Sequence, residues 1–185
     1  MTHQIVIVGD GSVGKSTIVS KFLNEPIHRE YSPTIGVDFH TRILTIDGER
    51  TKFSIWDMSG QSMYRSIITM FFSNAVGCVL VYDVTNRSSF ENISRWAESV
   101  KEHCHDNELK IFLVGTNADI YDRRQVSIQE GLMCAAEHEW QFAELDFVSS
   151  SHEVFANLSR ALRKPSAKIA EESPSIQRKP CCYLM

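Results

Sequence analysis

The sequence predicts an α/β fold: a mostly parallel sheet with helices on both faces. Two observations carry this. Gln4–Val8, Gly77–Tyr82 and Lys110–Val114 are short, continuous apolar runs, as expected of strands buried on both sides. Segments of helical period alternate with them as far as residue 162, and strands separated by amphipathic helices form parallel sheets.

Each element has its own signal. Gln4–Val8 is β-branched and stops at Gly9. Gly14–Leu23 spaces Ile18, Val19, Phe22 and Leu23 as one helix face. Residues 24–35 are polar, contain Pro26 and Pro33, and read as a loop. Val37–Ile46 and Lys52–Trp56 read as strands joined through Asp47-Gly48, a hairpin signal. The uncharged run Ser66–Tyr82 is shorter than the ~20 residues of a membrane-spanning helix. With Ser73, Asn74 and Gly77 inside it, it reads as helix, turn and buried strand. Ser89–His105 is a helix with Phe90, Ile93, Trp96, Ala97 and Val100 on one face. Ile128–His138 is a helix, Gln141–Val148 holds a strand, and His152–Leu162 is the last helix. Pro165, Pro174 and Pro180 with Ser, Lys and Glu cannot form a core, so 1–164 is expected to be one domain and 165–185 a flexible tail.

Composition narrows the function. Nineteen basic residues against 23 acidic ones give a net charge of −4 over 185 residues, which argues against a free-standing nucleic-acid binder. Met1-Thr2-His3-Gln4 has neither a basic nor an apolar leader segment, and residue 2 is not the glycine that N-myristoylation needs. Cys78, Cys104 and Cys134 lie in apolar or helical contexts and read as reduced, packed thiols of a cytosolic protein.

The first strand runs into Gly9-Asp10-Gly11-Ser12-Val13-Gly14-Lys15-Ser16, a complete G-x-x-x-x-G-K-[ST] motif between a strand and a helix. Its backbone N–H groups can turn toward phosphate oxygens, and the helix N-terminus adds positive potential. Lys15 would reach the β- and γ-phosphates, and Ser16 would ligate Mg²⁺. Asp57-Met58-Ser59-Gly60-Gln61 closes the Lys52–Trp56 strand. There Asp57 can hold Mg²⁺ through water, Gly60 can offer its N–H to the γ-phosphate, and Gln61 can orient an attacking water.

At this point the chain resembles the Rab family of small GTPases, in the Ras superfamily. The resemblance rests on Tyr31–Phe39 (YSPTIGVDF), KFSIW followed by DMSGQ, Tyr64-Arg65-Ser66-Ile67, Leu80–Thr85 (LVYDVT), and Ser89–Ile93 with Trp96. It covers residues 4–164 and the cysteine-bearing end. It implies the P-loop NTPase fold of small G-proteins, a six-stranded, mostly parallel sheet with five helices on both faces. It also implies a switch that binds GTP and GDP, hydrolyses GTP slowly, and recruits effectors on membranes to regulate vesicle traffic. The nucleotide would lie against Gly11, Ser12, Val13, Gly14, Lys15, Ser16 and Thr17, with Thr34, Gly60, Thr116, Asn117 and Asp119. Mg²⁺ would be held by Ser16, Thr34 and Asp57. Gln61 would be catalytic. Effectors would read Ile35, Gly36, Val37, Asp38, Phe39, Trp56 and Tyr64. The implied partners are effectors, exchange factors, GTPase-activating proteins and prenyl-binding escorts, acting on a monomer.

Departures gather at the base. The family's N-K-x-D is Thr116-Asn117-Ala118-Asp119 here; Asp119 would still read guanine, while Asn117 is too short for the stacking and tethering work of the usual Lys. The aromatic residue usual before switch I is Ile27, and the S-A-K loop is unrecognisable in residues 146–151. Ser12, Ser59 and Ser62 stand where the family has other residues near the γ-phosphate. The alternative reading is therefore a degenerate Rab-like scaffold with poor hydrolysis or rapid exchange. Finally, Cys182-Tyr183-Leu184-Met185 fits C-a-a-X beside Cys181, so Cys181 and Cys182 are expected lipidation sites on the cytoplasmic face of intracellular membranes.

Overall fold

The structure is a computed structural model that describes residues 2–26, 34–61, 69–104, 109–146 and 151–162. Its elements are β1 (Thr2–Val8), α1 (Lys15–Leu23), β2 (Val37–Ile46), β3 (Glu49–Met58), β4 (Gly77–Asp83), α2 (Arg87–Glu91), α3 (Ile93–His103), β5 (Lys110–Thr116), α4 (Ile128–Glu137), β6 (Gln141–Glu144) and α5 (His152–Leu162). They form one six-stranded sheet in the order β2-β3-β1-β4-β5-β6. β2 and β3 pair antiparallel through the Asp47-Gly48 turn, and every other pairing is parallel.

The continuous apolar strands are buried on both faces, and alternate residues serve different cores. Val6 and Val8 of β1 join Leu80, Tyr82, Ile93, Trp96 and Leu113 on one side of the sheet. Ile5 and Ile7 join Ile18, Phe22, Phe53, Phe155 and Leu158 on the other. The second core is tight: the Phe22 and Phe155 ring centroids lie 3.9 Å apart. Cys78 is fully buried, and Cys78, Cys104 and Cys134 form no disulfide among the described residues.

Several boundaries differ from the sequence reading, most of them by one or two residues. The hairpin strand expected over Lys52–Trp56 extends to Glu49–Met58, because β2 pairs with all ten of its residues. The helix expected over Ser89–His105 starts at Arg87, where the Asn86 side chain accepts the Ser89 N–H as an N-cap. That helix is also split at Asn92 into α2 and α3, and residue 105 lies outside the described residues. The strand held within Gln141–Val148 is Gln141–Glu144, and residues 147 and 148 are likewise outside. The expected helix around Tyr64–Ile68 falls outside as well. Among the described residues no helix is long and apolar enough to cross a membrane.

β1 is the strand where the order reverses: its neighbours are β3 on one side and β4 on the other. In open α/β sheets, ligands bind at the carboxyl end of such a strand. The glycine-rich loop emerges from that end.

Candidate nucleotide and metal site

The loop between β1 and α1 is wound tightly against its surroundings. Gly9 has φ +150, and a Cβ there would lie 2.1 Å from the Val81 carbonyl oxygen, so only glycine fits. Lys15 is 6% exposed and folds back over the loop, its ammonium donating to the Gly9 carbonyl at 3.0 Å and the Asp10 carbonyl at 2.6 Å. Burial lowers its pKa to about 8 against the opposing pull of Asp57 and Asp10. A buried cation so placed has much to gain from an anion. Ser12 adopts φ 65, a left-handed conformation that strains a side-chain-bearing residue.

The loop is braced from behind by a contact that no local pattern announces. The Asp10 carboxylate accepts from Asn92 Nδ2 at 2.7 Å and from Trp96 Nε1 at 2.8 Å. Trp96 reads in the sequence as a core-facing helix residue and as part of the family resemblance, with no sign of this contact. Asn92 sits at the joint between α2 and α3, so that joint holds the phosphate loop. Asn92→Ala removes one of two charge-assisted bonds, each worth about 1.5–3 kcal/mol. Its expected effect is a lower melting temperature and weaker nucleotide binding, checked by thermal melts with and without GDP. A variant that matches the parent in both would mean that the Asp10 brace carries no load.

Three oxygen-bearing residues separated widely in sequence meet beside Lys15. Ser16 Oγ donates to Asp57 Oδ2 at 2.5 Å and lies 3.1 Å from Thr34 Oγ1. Asp57 is 1% exposed, and its Oδ1 has no hydrogen-bond partner among the described residues. Burial raises the Asp57 pKa, opposed by the Ser16 hydrogen bond and the Lys15 charge. An orphaned buried carboxylate oxygen beside two hydroxyls is a donor set that suits a small, hard cation such as Mg²⁺.

The segment after β3 lies on the phosphate loop. A Cβ on Gly60 would stand 2.3 Å from the Asp10 carbonyl carbon and the Gly11 nitrogen. Ser59 is 2% exposed; its N–H donates to the Gly36 carbonyl at 2.9 Å, and its hydroxyl accepts the Gln61 N–H at 3.3 Å. The two loops expected to sense the γ-phosphate are thus joined through Ser59. The site holds Gly11, Val13, Gly14 and Thr17 in the same loop-to-helix turn.

At the base end, Thr116 Oγ1 lies 2.8 Å from the Val13 carbonyl and 3.1 Å from that of Tyr82, tying the base loop to the phosphate loop. Asn117 has φ 59, a left-handed conformation that asparagine tolerates better than most residues, which is a physical reason for Asn there. Arg124 donates to the Ala118 carbonyl at 3.1 Å and bidentately to Glu144 at 2.8 Å through each nitrogen. The Asp119 side chain is exposed at the mouth of this loop. Ile27 and residues 147–150 of the altered loop lie outside the described residues, as do Ser62, Cys181 and Cys182.

A separate aromatic surface flanks the site. Phe39 on β2 is 51% exposed and packs at 4.4 Å on Trp56, its cross-strand partner, which in turn packs at 4.8 Å on Phe71. Ile35 is exposed, Asp38 is exposed, Gly36 is at φ 76, and Val37 turns partly into the core. Phe71 is the member the sequence reading lacks; it sits in a short 3-10 turn, Thr69–Phe71. Tyr64 lies outside the described residues.

Comparison with known proteins agrees with this geometry. A family model described as the Ras family matches residues 4–164. The chain is 36% identical to "GTP-binding protein ypt2" of Schizosaccharomyces pombe over 163 residues, covering 87% of this chain and 81% of that protein. It is 34% identical to "Ras-related protein RABA5b" of Arabidopsis thaliana, covering 92% and 82%. It is 35% identical to "Ras-related protein Rab-8B" of Homo sapiens, covering 85% and 76%.

Proposed function

The chain belongs to the Rab family of small GTPases, within the Ras superfamily, and from that premise we propose how its own residues run the switch. It is a GTP-binding protein that hydrolyses GTP to GDP and phosphate and acts in vesicle traffic; the relatives do not favour a degenerate module.

In the proposed mechanism Lys15 turns its ammonium from the Gly9 and Asp10 carbonyls onto β- and γ-phosphate oxygens. Ser16, Thr34 and Asp57 hold Mg²⁺, which when bound neutralises charge on the phosphates. Gly60 offers its N–H to the γ-phosphate and Gln61 orients the attacking water. Asp119 accepts from the guanine N1–H and 2-amino group. When the γ-phosphate leaves, the groups that held Thr34 and Gly60 lose their partner. The Ser59–Gly36 bond makes the two loops respond together. Effectors would then sense the change on Ile35, Phe39 and Trp56, with Phe71 completing that face. The observation that most supports this reading is the meeting of Ser16, Thr34 and Asp57 beside Lys15.

A single-turnover assay tests the chemistry. The parent is expected to turn over on the order of 10⁻³ s⁻¹ or below without an activating protein, and Gln61→Leu to be at least ~10-fold slower with GTP affinity intact. Equal rates would mean that Gln61 does not position the water.

The tail completes the proposal. Residues 1–164 act as the switch and residues 165–185 as a tether, with Cys181 and Cys182 carrying the lipid. One chain gives only marginal binding, and Lys168, Arg178 and Lys179 against Glu171 and Glu172 make a weak basic patch, so two lipids are needed. Replacing both cysteines by Ser should release the protein from membranes with nucleotide binding unchanged. A double variant that still pellets with membranes would contradict lipid anchoring.

A further inference from the structure

We propose that Lys21, on α1, is the positioning residue for the guanine-reading loop of Asp119. The proposal rests on the guanine-nucleotide reading above. Lys21 Nζ donates to the Asp146 carbonyl at 2.8 Å. That segment also carries the loop of Asp119, because the Ala118 N–H donates to the Leu145 carbonyl at 3.2 Å and the Leu145 N–H to the Gly115 carbonyl at 2.7 Å. One ammonium on a helix therefore fixes the stretch on which the Asp119 loop rests.

The charge matters as well as the bond. Asp119 and Asp146 are the two carboxylates that act on Lys21, raising its pKa against the lowering by burial. The Lys21 charge therefore acts on the residue that reads guanine as well as on the segment beneath its loop. Lys21 comes from the side, on the rigid element whose first turn holds Lys15 and Ser16. The six residues from Lys15 to Lys21 rise about 9 Å. The same helix thus links the phosphate end of the site to the base end.

The test uses the full chain, stripped of nucleotide and titrated with GDP, inosine diphosphate and ADP in Mg²⁺. Inosine diphosphate keeps N1–H and lacks the 2-amino group, so the GDP to inosine diphosphate ratio reads the second Asp119 contact. Lys21→Ala is expected to weaken GDP about tenfold and to shrink that ratio. Lys21→Arg should restore both, and Lys21→Gln should not. Melting of the nucleotide-free variants reports folding. A parent-like ratio in Lys21→Ala and Lys21→Gln overturns the proposal. So does a proportional fall for all three nucleotides, which would make Lys21 a support for α1 alone. A parent without preference for GDP over ADP is a different result: it overturns the guanine-site reading itself, and the role of Lys21 with it.

Discussion

Lys15→Ala is expected to fold as the parent does and to lose nucleotide binding. Lys15 is a buried cation whose charge burial opposes, compensated by two carbonyls and by Asp57 and Asp10. Deleting it removes a cost along with the bonds, so the nucleotide-free melting temperature should change little. Phosphate oxygens would lose the ammonium that reaches them in the proposed mechanism. Removing one partner of a buried charge pair costs about 2–5 kcal/mol. That corresponds to a rise in Kd of roughly 30-fold to several thousandfold. Thermal melts with and without Mg²⁺ and GDP check both halves: no nucleotide-induced rise in the variant, a clear one in the parent. A variant that binds as tightly as the parent would place the phosphates elsewhere.

Gly60→Ala is expected to separate GTP from GDP. The added methyl group would stand 2.3 Å from the Asp10 carbonyl carbon and the Gly11 nitrogen, so either the Ser59–Gln61 segment or the phosphate loop must move. The contact lies between two loops and not within the Phe22–Phe53–Phe155 cluster, and the chain should still fold. Overpacking of this kind costs about 1–3 kcal/mol. GDP makes no demand on Gly60 in the proposed mechanism, whereas the γ-phosphate does. GDP affinity should hold, while GTP hydrolysis falls at least ~10-fold and the preference for GTP over GDP falls with it. Single-turnover hydrolysis and paired titrations measure this. Unchanged hydrolysis would show that the segment swings clear of the phosphate loop when nucleotide binds.

Much of this was legible before the structure, for a physical reason. Strands buried on both faces must be continuously apolar, and α1, α4 and α5 each carry an amphipathic stripe; both are local patterns. The phosphate loop is legible for the same reason, since its glycines, Lys15 and Ser16 act from consecutive positions. Side-chain contacts between distant elements leave no such trace. The Asp10 carboxylate binds Asn92 and Trp96 more than eighty positions away, and nothing in either helix segment signals it. Phe71 lay hidden in an uncharged run and gains meaning only once Phe39 and Trp56 are paired across β2 and β3. The base end was the least legible part. There Thr116 reaches the Val13 carbonyl with a hydroxyl, and Asn117 occupies a left-handed position. The end of β6 at Glu144 leaves the Asp146 carbonyl to Lys21. The departures at Thr116 and Asn117 have a local rationale that requires the third dimension.

The central claim is that Ser16, Thr34, Asp57 and Lys15 form the phosphate end of a guanine-nucleotide site. Native mass spectrometry of the purified full chain, stripped and then incubated with equimolar GTP and ATP in Mg²⁺, tests it most directly. The account predicts one guanine nucleotide per chain with Mg²⁺ retained, and loss of that mass in Lys15→Ala. A parent that stays bare, or that takes up ATP as readily as GTP, would contradict it.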